Sequence, residues 1–243
     1  MNRKELLNNL NPLFFKGIAH RGLHDKIITE NSLSAFKKAK DNKVAFELDV
    51  HLTKDNQLIV MHDSSLKRTT SKEGICEELT LKEIQDNYKL LDGEKIPSLQ
   101  EVLSQTNEEV PIVIELKAYK GNFRPLKKRL IEELKIIKDK KNVWIISFDP
   151  RALLGINKYG YMRSLLIDRY HTWVMLCSFL FESIDTHYSL LQRRDHISYR
   201  KKHLVNVYTI ETEQQIKDSI GYVDTITYQY LDPEIIHKYL PKI

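Results

Sequence analysis

The residues best suited to chemistry begin with two carboxylates, Glu47 and Asp49, inside the apolar run 44–50. Side chains two positions apart on a β-strand point to the same side of the sheet, so these carboxylates are expected to share a face. Two half-buried carboxylates in apolar surroundings are electrostatically costly unless a positive group lies between them. That group is either a Lys or Arg side chain, as in an ordinary salt bridge, or a bound cation.

Other polar residues favour a bound cation over simple salt bridges. His20 and Arg21 precede the acidic pair, His62 follows it, and Glu115 and Lys117 lie on a later apolar segment. Three carboxylates from two neighbouring strands would form an all-oxygen site for Mg²⁺ or Ca²⁺. The two histidines could exchange protons on opposite sides of a substrate, and the two cationic side chains would suit a phosphate oxyanion. The set predicts phosphoryl chemistry, although each histidine taken alone is more often structural.

The elements that must position these residues follow an alternating pattern. Apolar, β-rich segments alternate with helix-period segments, which is typical of an α/β fold with a parallel sheet. Eight barrel strands are predicted over residues 17–20, 45–51, 112–117, 143–148, 163–167, 183–187, 204–208 and 223–227. Eight β/α units in about 250 residues have the size of a TIM barrel, whose functional groups gather at the carboxyl ends of the strands. We therefore predict a (β/α)8 TIM barrel.

A further strand-like segment, residues 58–61, follows the second barrel strand closely. A parallel crossover needs about a dozen residues, so this segment is expected to return antiparallel as a β-hairpin. Residues 62–111 then form a helical excursion between barrel strands two and three, including a helix capped by Ser98. Helices are also predicted over 32–40, 126–137 and 211–219. Because no Gly/Ser-rich linker interrupts the chain, we assign residues 1–243 to a single domain.

The composition argues against several other classes of protein. A net charge of +5 spread along 243 residues does not resemble a nucleic-acid-binding surface. Cys76 and Cys177 form no C-x-x-C pattern, which argues against a cysteine zinc site or a disulfide framework. The N-terminus lacks the apolar core of a signal peptide, and the apolar run 173–181 is about half as long as a membrane span. We expect a cytoplasmic protein. The run 173–181 is more often a helix that faces the barrel than a membrane contact, and its apolar residues still permit weak association with a lipid surface.

These residues lie within motifs that together resemble the glycerophosphodiester phosphodiesterase family, which has a TIM-barrel fold. The resemblance covers about residues 17–118, and residues 146–148 and 207–209 also resemble the family's later strands. The motifs are ordered, correctly spaced and specific: Ile18-Ala19-His20-Arg21-Gly22, Glu30-Asn31-Ser32, Phe46-Glu47-Leu48-Asp49-Val50, Thr53-Lys54-Asp55, His62-Asp63, Leu66-Lys67-Arg68-Thr69-Thr70, Ile96-Pro97-Ser98-Leu99 and Ile114-Glu115-Leu116-Lys117.

The resemblance implies a metal-dependent hydrolase that converts glycerophosphodiesters to sn-glycerol 3-phosphate and an alcohol. On matching positions, His20 and His62 would be the general acid–base pair, and Arg21 and Lys117 would contact the phosphate. One divalent cation, Mg²⁺ or Ca²⁺, would be held by Glu47, Asp49 and Glu115. We assign His20 as the base and His62 as the acid, and the attacking oxygen is either water or the 2-hydroxyl of the glycerol. Asn31 matches the family's E-N pair and is alternatively the cap of the helix 32–40.

Two departures from the family's pattern concern the glycerol end of the substrate. Tyr208 stands where the family usually carries a tryptophan that packs against glycerol, so we expect Tyr208 to contact the substrate. The last strand, usually V-D-G-I-I-T-D, has Thr225 in place of the glycine and Gln229 in place of the closing aspartate. We expect both changes to lie on the substrate-binding rim and to alter the preference for glycerol. We expect neither to touch the metal or the acid–base groups.

Two other functions are compatible with the sequence. A phospholipase D-like enzyme acting on lysophospholipids shares the H-R…E-x-D opening, although Glu115 and Lys117 on the third strand argue against it. A catalytically inactive barrel that binds a lipid or a protein partner would not need the intact set of two histidines and three carboxylates. Headgroup release from lysophospholipid vesicles would distinguish the first alternative, and the absence of any hydrolysis would indicate the second.

Overall fold

The structure is a computed structural model that describes residues 2–169 and 171–240. The described strands belong to one sheet. They are β1 (Ile18–Ala19), β2 (Ala45–Leu52), β3 (Leu58–Val60), β4 (Ile112–Leu116), β5 (Val143–Ser147), β6 (Met162–Ile167), β7 (Ser183–His187), β8 (Leu204–Ile210) and β9 (Thr225–Tyr228).

The helices precede, connect and follow these strands along the chain. They are α1 (Arg3–Asn8), α2 (Leu33–Asp41), α3 (Lys67–Thr70), α4 (Leu81–Asn87), α5 (Leu99–Thr106), α6 (Phe123–Glu133), α7 (Pro150–Leu153), α8 (Thr172–Ser178), α9 (Arg194–Arg200), α10 (Glu213–Ser219) and α11 (Pro233–Tyr239). Short 3₁₀ segments complete the connections, among them Pro12–Lys16 before β1.

The sheet closes on itself because β1 pairs in parallel with both β2 and β9. Around the ring the order is β1-β2-β4-β5-β6-β7-β8-β9, and each neighbouring pair is parallel. The predicted (β/α)8 TIM barrel is therefore confirmed. The strand β3 lies outside this ring and pairs antiparallel with β2, with Val60 opposite Val50, so the predicted hairpin is also confirmed.

The helical excursion after the hairpin has a small apolar core of its own. Ile59 and Met61 of the hairpin region pack with Ile84 of α4 and with Ile96. The helix α5 then begins as predicted at Ser98, whose hydroxyl accepts a hydrogen bond from the Glu101 amide while the Glu101 carboxylate accepts one from the Ser98 amide. This reciprocal cap satisfies amide groups that the first turn of a helix leaves unpaired.

The predicted start of one helix moves because a capping residue, rather than apolar periodicity, sets where the helix begins. The helix α10 begins at Glu213 instead of residue 211, because Thr212 caps it reciprocally with Gln215. The apolar run 173–181 overlaps α8, which buries Met175 while leaving Trp173 57% exposed. Within the described residues, no helix combines the length and apolar character needed to cross a bilayer.

Strand alternation sends apolar side chains outward and the acidic ones into the barrel. Phe46, Leu48 and Val50 of β2 join the core between the strands and the surrounding helices. The carboxylates of Glu47 and Asp49 alternate with them and therefore point to the barrel interior. The carboxylates of β2 thus point into the barrel, whose functional groups gather at the carboxyl ends of the strands.

Candidate active site

Three carboxylates meet inside the barrel near the carboxyl ends of β2 and β4. Asp49 and Glu115 lie side by side in the register of the two parallel strands, and Glu47 shares their face. One oxygen from each of the three groups lies within 4.8 Å of the other two, and all three residues are buried. The structure thus brings together the three residues that were predicted to bind a metal.

Both residues predicted to bind phosphate contact this acidic cluster. The Lys117 Nζ lies 2.9 Å from the Glu115 Oε1 and 3.3 Å from the Asp49 Oδ1. The Arg21 Nε lies 3.5 Å from the Asp49 Oδ2, and the Arg21 backbone N–H donates to the Glu47 Oε2 at 2.9 Å. Two fixed positive charges therefore flank the carboxylates.

The electrostatics of the cluster fit an additional cation. Burial raises the pKa of Glu47 well above its usual range, and the nearby Asp49 and Glu115 carboxylates raise it further. Burial also raises the pKa of Glu115 to about 7. For Asp49 burial acts in the same direction, but Lys117 and Arg21 outweigh it and lower the pKa. The negative charge of the cluster is thus only partly compensated, and its oxygen donors are those that hard divalent cations prefer.

The Nδ1 atoms of the two histidines have different hydrogen-bond partners. The His62 Nδ1 lies 2.6 Å from a carboxylate oxygen of Asp63, whereas the His20 Nδ1 lies 2.7 Å from the side-chain Oε1 of Gln229. In each case an Nδ1–H that donates to this oxygen leaves the Nε2 available on the other side of the ring. Burial is the main cause that lowers the pKa of both histidines, for His20 to about 3.

A chain of ion pairs links the loops that carry the histidines. Asp63, the partner of His62, also accepts a hydrogen bond from the Arg68 Nε. The Arg68 guanidinium in turn donates to both oxygens of Glu30, at 2.7 and 3.0 Å. Glu30 completes the chain by accepting a hydrogen bond of 2.8 Å from the Arg21 Nη1. Three segments separated in sequence are thereby held in one arrangement around the acidic cluster.

The predicted substrate contact, Tyr208, lines the same small cavity as the histidines. This cavity has a volume of about 130 Å³, and His20, His62, Glu47 and Glu115 are among the residues around it. The Tyr208 ring packs edge-on against Phe148, with 6.4 Å between ring centroids. Its hydroxyl is buried and has no hydrogen-bond partner among the described residues. A bound molecule with a polar group is therefore well placed to meet it.

Comparison with known sequences places this arrangement in a family. The sequence profile of the Glycerophosphoryl diester phosphodiesterase family matches residues 20–222. The chain belongs to this family. A glycerophosphodiester phosphodiesterase of Caldanaerobacter subterraneus subsp. tengcongensis is 37% identical over 153 residues, which cover 58% of this chain and 61% of that protein. Glycerophosphodiester phosphodiesterase 1 of Bos taurus is 36% identical over 149 residues, which cover 56% of this chain and 43% of that protein. The matches span about three fifths or less of these relatives.

Solved structures of the family share the fold over nearly the whole chain. A glycerophosphodiester phosphodiesterase from Parabacteroides distasonis ATCC 8503 superposes with a TM-score of 0.76 at 26% identity, covering 92% of this chain and 95% of that one. A phosphodiesterase of Oleispira antarctica was solved in complex with the product sn-glycerol-3-phosphate. It superposes with a TM-score of 0.76 at 23% identity, covering 87% of this chain and 91% of that one. The second likeness concerns the fold alone.

Our expectation that Gln229 does not touch the acid–base groups was wrong. We expected the change at position 229 to leave the acid–base groups untouched, but the Gln229 side chain bonds to His20. The cause is barrel closure, because β9 is the neighbour of β1 and the residue after β9 meets the residue after β1. The Gln229 Nε2 also donates to Glu211, which fixes the orientation of its amide.

Asn31, the second residue of the family's E-N pair, does not cap a helix. Ser32 caps α2, with its hydroxyl accepting a hydrogen bond of 3.1 Å from the Ala35 amide. Asn31 instead adopts a positive φ of 57° and donates from its Nδ2 to the Asp49 Oδ2 at 2.9 Å. The alternative in which Asn31 caps the helix was therefore wrong. The motif itself was the signal that could have identified Asn31 as a partner of the acidic cluster.

Thr225, the other changed residue of the last strand, does not lie on the substrate-binding rim. The Thr225 hydroxyl donates to the backbone carbonyl of Phe14, at the base of the barrel. A larger cavity of about 810 Å³ also lies at this end, and its carboxylate, Asp224, is already paired with Arg3 and Arg200. Thr225 therefore cannot alter the contacts of a substrate at the carboxyl ends of the strands, contrary to our expectation.

Proposed function

We propose that this protein hydrolyses glycerophosphodiesters to sn-glycerol 3-phosphate and an alcohol. One observation supports this activity above all: in a member of this family, both histidines, Arg21, Glu47 and Glu115 line one small cavity, and Asp49 and Lys117 belong to the same acidic cluster. The cavity volume of about 130 Å³ suits a short polar group better than an acyl chain, which favours a glycerophosphodiester over a lysophospholipid.

Glu47, Asp49 and Glu115 would hold one divalent cation, Mg²⁺ or Ca²⁺. Such an ion would supply Lewis-acid stabilisation of the phosphate charge. The partly compensated charge and the all-oxygen donor set support this assignment. Asn31 would orient Asp49 through the hydrogen bond to its Oδ2, because a carboxylate whose second oxygen is held loses rotational freedom.

Arg21 and Lys117 would bind the non-bridging oxygens of the phosphate. Both side chains are largely buried and already lie beside the acidic cluster, so their charges are fixed before the substrate arrives. Hydrogen bonds between ionised partners are roughly twice as strong as neutral ones. A preorganised guanidinium and ammonium would thus stabilise charge that develops on the phosphate oxygens in the transition state.

His20 would act as the base and His62 as the acid. Behind His20 lies the neutral amide oxygen of Gln229, which holds the Nδ1–H and leaves the Nε2 lone pair free to accept a proton from the attacking oxygen. Behind His62 lies the Asp63 carboxylate, which stabilises a protonated imidazole. The Nε2 of that ring would give its proton to the departing alcohol oxygen as the phosphorus–oxygen bond breaks.

A weak association with a lipid surface belongs to the same proposal. Besides Trp173, the apolar side chains of Leu176, Phe179 and Leu180 in and after α8 are more than half exposed. Contiguous exposed apolar residues commonly mark an interaction site. The substrate itself would be a small molecule, and the cytoplasmic location stays a prediction from the sequence.

The purified chain, incubated with a panel of glycerophosphodiesters, tests this function by the release of glycerol 3-phosphate. EDTA should abolish the release, and added Mg²⁺ or Ca²⁺ should restore it. Glu47→Gln, which keeps the shape but loses the charge, should raise the cation concentration for half-maximal activity by about tenfold or more, the usual order for a metal-site change. The exposed Glu109→Gln serves as the matched control and should behave as the unmodified chain.

The alternatives give different results in the same assay. Full activity in the presence of EDTA would remove the cation from the mechanism. Headgroup release from lysophospholipid vesicles, without hydrolysis of the soluble diesters, would favour the phospholipase D-like alternative. An absence of hydrolysis with every substrate and cation would indicate an inactive binding barrel.

A further inference from the structure

The half of the barrel that faces the acidic cluster has an unusually polar interior. TIM-barrel interiors are mainly filled with branched apolar side chains. Here four consecutive strands, β6 to β9, contribute Ser164, Asp185, Asn206 and Thr227, all of them buried. Buried polar groups, and a carboxylate above all, are costly unless they are fully paired.

This polar group is only partly satisfied by its own hydrogen bonds. Asp185 accepts a hydrogen bond from the Ser164 hydroxyl and another, of 2.7 Å, from the Asn206 Nδ2. The same Nδ2 donates to the Thr227 hydroxyl at 2.8 Å, while the Asn206 Oδ1 has no partner among the described residues. A carboxylate can accept about four hydrogen bonds, so Asp185 retains unused capacity.

No compensating positive charge accounts for Asp185. Within residues 2–169 and 171–240, no Lys, Arg or His is paired with it. Burial raises its pKa to about 6, against the opposing effect of Ser164 and Asn206. An apolar or amide side chain at position 185 would stabilise a purely structural network better than a carboxylate does. Stability alone therefore does not explain Asp185.

The location of Asp185 gives it access to a ligand. It lines the 130 Å³ cavity together with Tyr208, whose buried hydroxyl also lacks a partner within residues 2–169 and 171–240. The strand β7 lies across the barrel from β2 and β4, which carry the acidic cluster. Phe148 and Leu166 line the same cavity and give it an apolar wall. The cavity therefore has a phosphate-binding end, an apolar wall and a second polar end.

We propose that Asp185 accepts a hydrogen bond from the terminal hydroxyl of the substrate's glycerol moiety and thereby determines specificity. Tyr208 is the second partner of that hydroxyl, and Phe148 and Leu166 pack against the carbon chain. This inference rests on the proposed hydrolysis and adds to it the group by which a polyol end is distinguished from other alcohols. A hydroxyl is a suitable occupant because it donates to a carboxylate and accepts from tyrosine at once.

Two substrates that differ by one hydroxyl test the inference. The first is sn-glycero-3-phosphocholine, and the second is its analogue with the terminal hydroxyl replaced by hydrogen. Both keep the 2-hydroxyl next to the phosphate, so attack by water and attack by that hydroxyl stay possible with either. The unmodified chain should prefer the first substrate by about 10–100-fold in kcat/KM, the range for a hydrogen bond to a charged group.

Variants of the buried aspartates locate the source of this preference. Asp185→Asn should lower the ratio of the two kcat/KM values at least about fivefold, and Asp185→Leu should bring it close to one, because each step weakens the acceptor. Asp224→Asn changes a buried aspartate at the other end of the barrel and should leave the ratio unchanged. Should the Asp185 variants fail to fold, Tyr208→Phe applies the same test, since its hydroxyl has no protein partner to lose.

The results separate this inference from the function on which it rests. Hydrolysis of both substrates with equal kcat/KM by the unmodified chain would overturn the role of Asp185 while leaving the proposed activity intact. A preference that persists in the Asp185 variants would also overturn that role. If only Tyr208→Phe folds, a preference that persists in this variant would overturn it. Hydrolysis of neither substrate would overturn both.

Discussion

Two histidines of identical chemistry face one cavity with unlike partners behind them. Gln229 offers His20 a neutral amide oxygen, whereas Asp63 offers His62 a carboxylate. A carboxylate stabilises the protonated ring more strongly than an amide does. The asymmetry supports His20 as the group that accepts a proton and His62 as the group that donates one, since the two roles require opposite protonation states at the start of the reaction.

The partner of His20 can be tested directly. Gln229→Leu keeps the size of the side chain but removes the acceptor for the Nδ1–H, so the ring loses its preferred tautomer and orientation. We expect kcat to fall by about tenfold or more, within the range attributed to general acid–base catalysis. The loss should be the same for a substrate with a choline leaving group and for one with p-nitrophenol, because the base acts on the attacking oxygen in both.

A matched control is available for this variant. Gln214→Leu changes an exposed glutamine on α10 whose side-chain amide donates to Asp218, and it should keep the rates of the unmodified chain. A Gln229→Leu enzyme with unchanged kcat would contradict the positioning of His20 by this side chain.

At the scale of elements, the short helix α3 connects two loops that carry the histidines. Arg68 on this helix bonds to Asp63 beside His62, and to Glu30 in the loop that follows β1. Glu30 then bonds to Arg21. A helix of four residues has little stability of its own, so its contribution is the guanidinium that it presents between the two carboxylates.

Arg68→Gln should therefore act through His62. Loss of the guanidinium leaves Asp63 free to reorient, and we expect kcat for choline esters to fall several-fold with little change in KM. With p-nitrophenol as the leaving group, which needs no proton, the deficit should shrink because the acid is no longer required.

The neighbouring residue provides the control for Arg68. Lys67 lies on the same helix but pairs with the exposed Glu73, so Lys67→Gln should leave both rates unchanged. An Arg68→Gln deficit of equal size with the two leaving groups would contradict the link to His62, and would indicate a general disturbance of the site.

At the scale of the whole molecule, the N-terminal segment closes the base of the barrel. Phe14 of the 3₁₀ segment packs edge-on against Trp144 of β5, with 5.6 Å between ring centroids. Leu6 and Leu10 extend this apolar contact below the strands. Arg3 of α1 also pairs with Asp224 just before β9. The first residues are thus joined to the barrel by apolar packing and by an ion pair next to its last strand, which supports our proposal that residues 1–243 form a single domain.

Phe14→Ala tests this packing. Removing a fully buried phenylalanine from a tightly packed core should lower the free energy of unfolding by about 3–5 kcal/mol. Urea unfolding followed by tryptophan fluorescence and by far-ultraviolet circular dichroism should give one coincident transition for a single domain. Leu91→Ala, which truncates a side chain that is 64% exposed, is the control and should change the free energy far less. Two separate transitions in the unmodified chain would contradict the single domain.

The barrel and most of the site residues were predictable because their signals are local. Alternating strand and helix patterns, and the short spacing between β2 and β3, indicated the (β/α)8 barrel and its hairpin. The motifs around His20, Glu47, His62 and Glu115 predicted which side chains meet, and the structure brings them together. Strand ends gather at one rim in any parallel barrel, so the meeting of these motifs required no knowledge of packing detail.

Only the tertiary structure decided which distant side chains touch. The contact between His20 and Gln229 joins residues 209 positions apart, and it exists because the last strand closes the barrel against the first. The polar group around Asp185 likewise depends on which side chains of β6 to β9 point inward at the same height. Sequence periodicity gives the face of each strand, but the stagger between neighbouring strands sets the height of a residue, and that stagger is determined by the packing of the whole barrel.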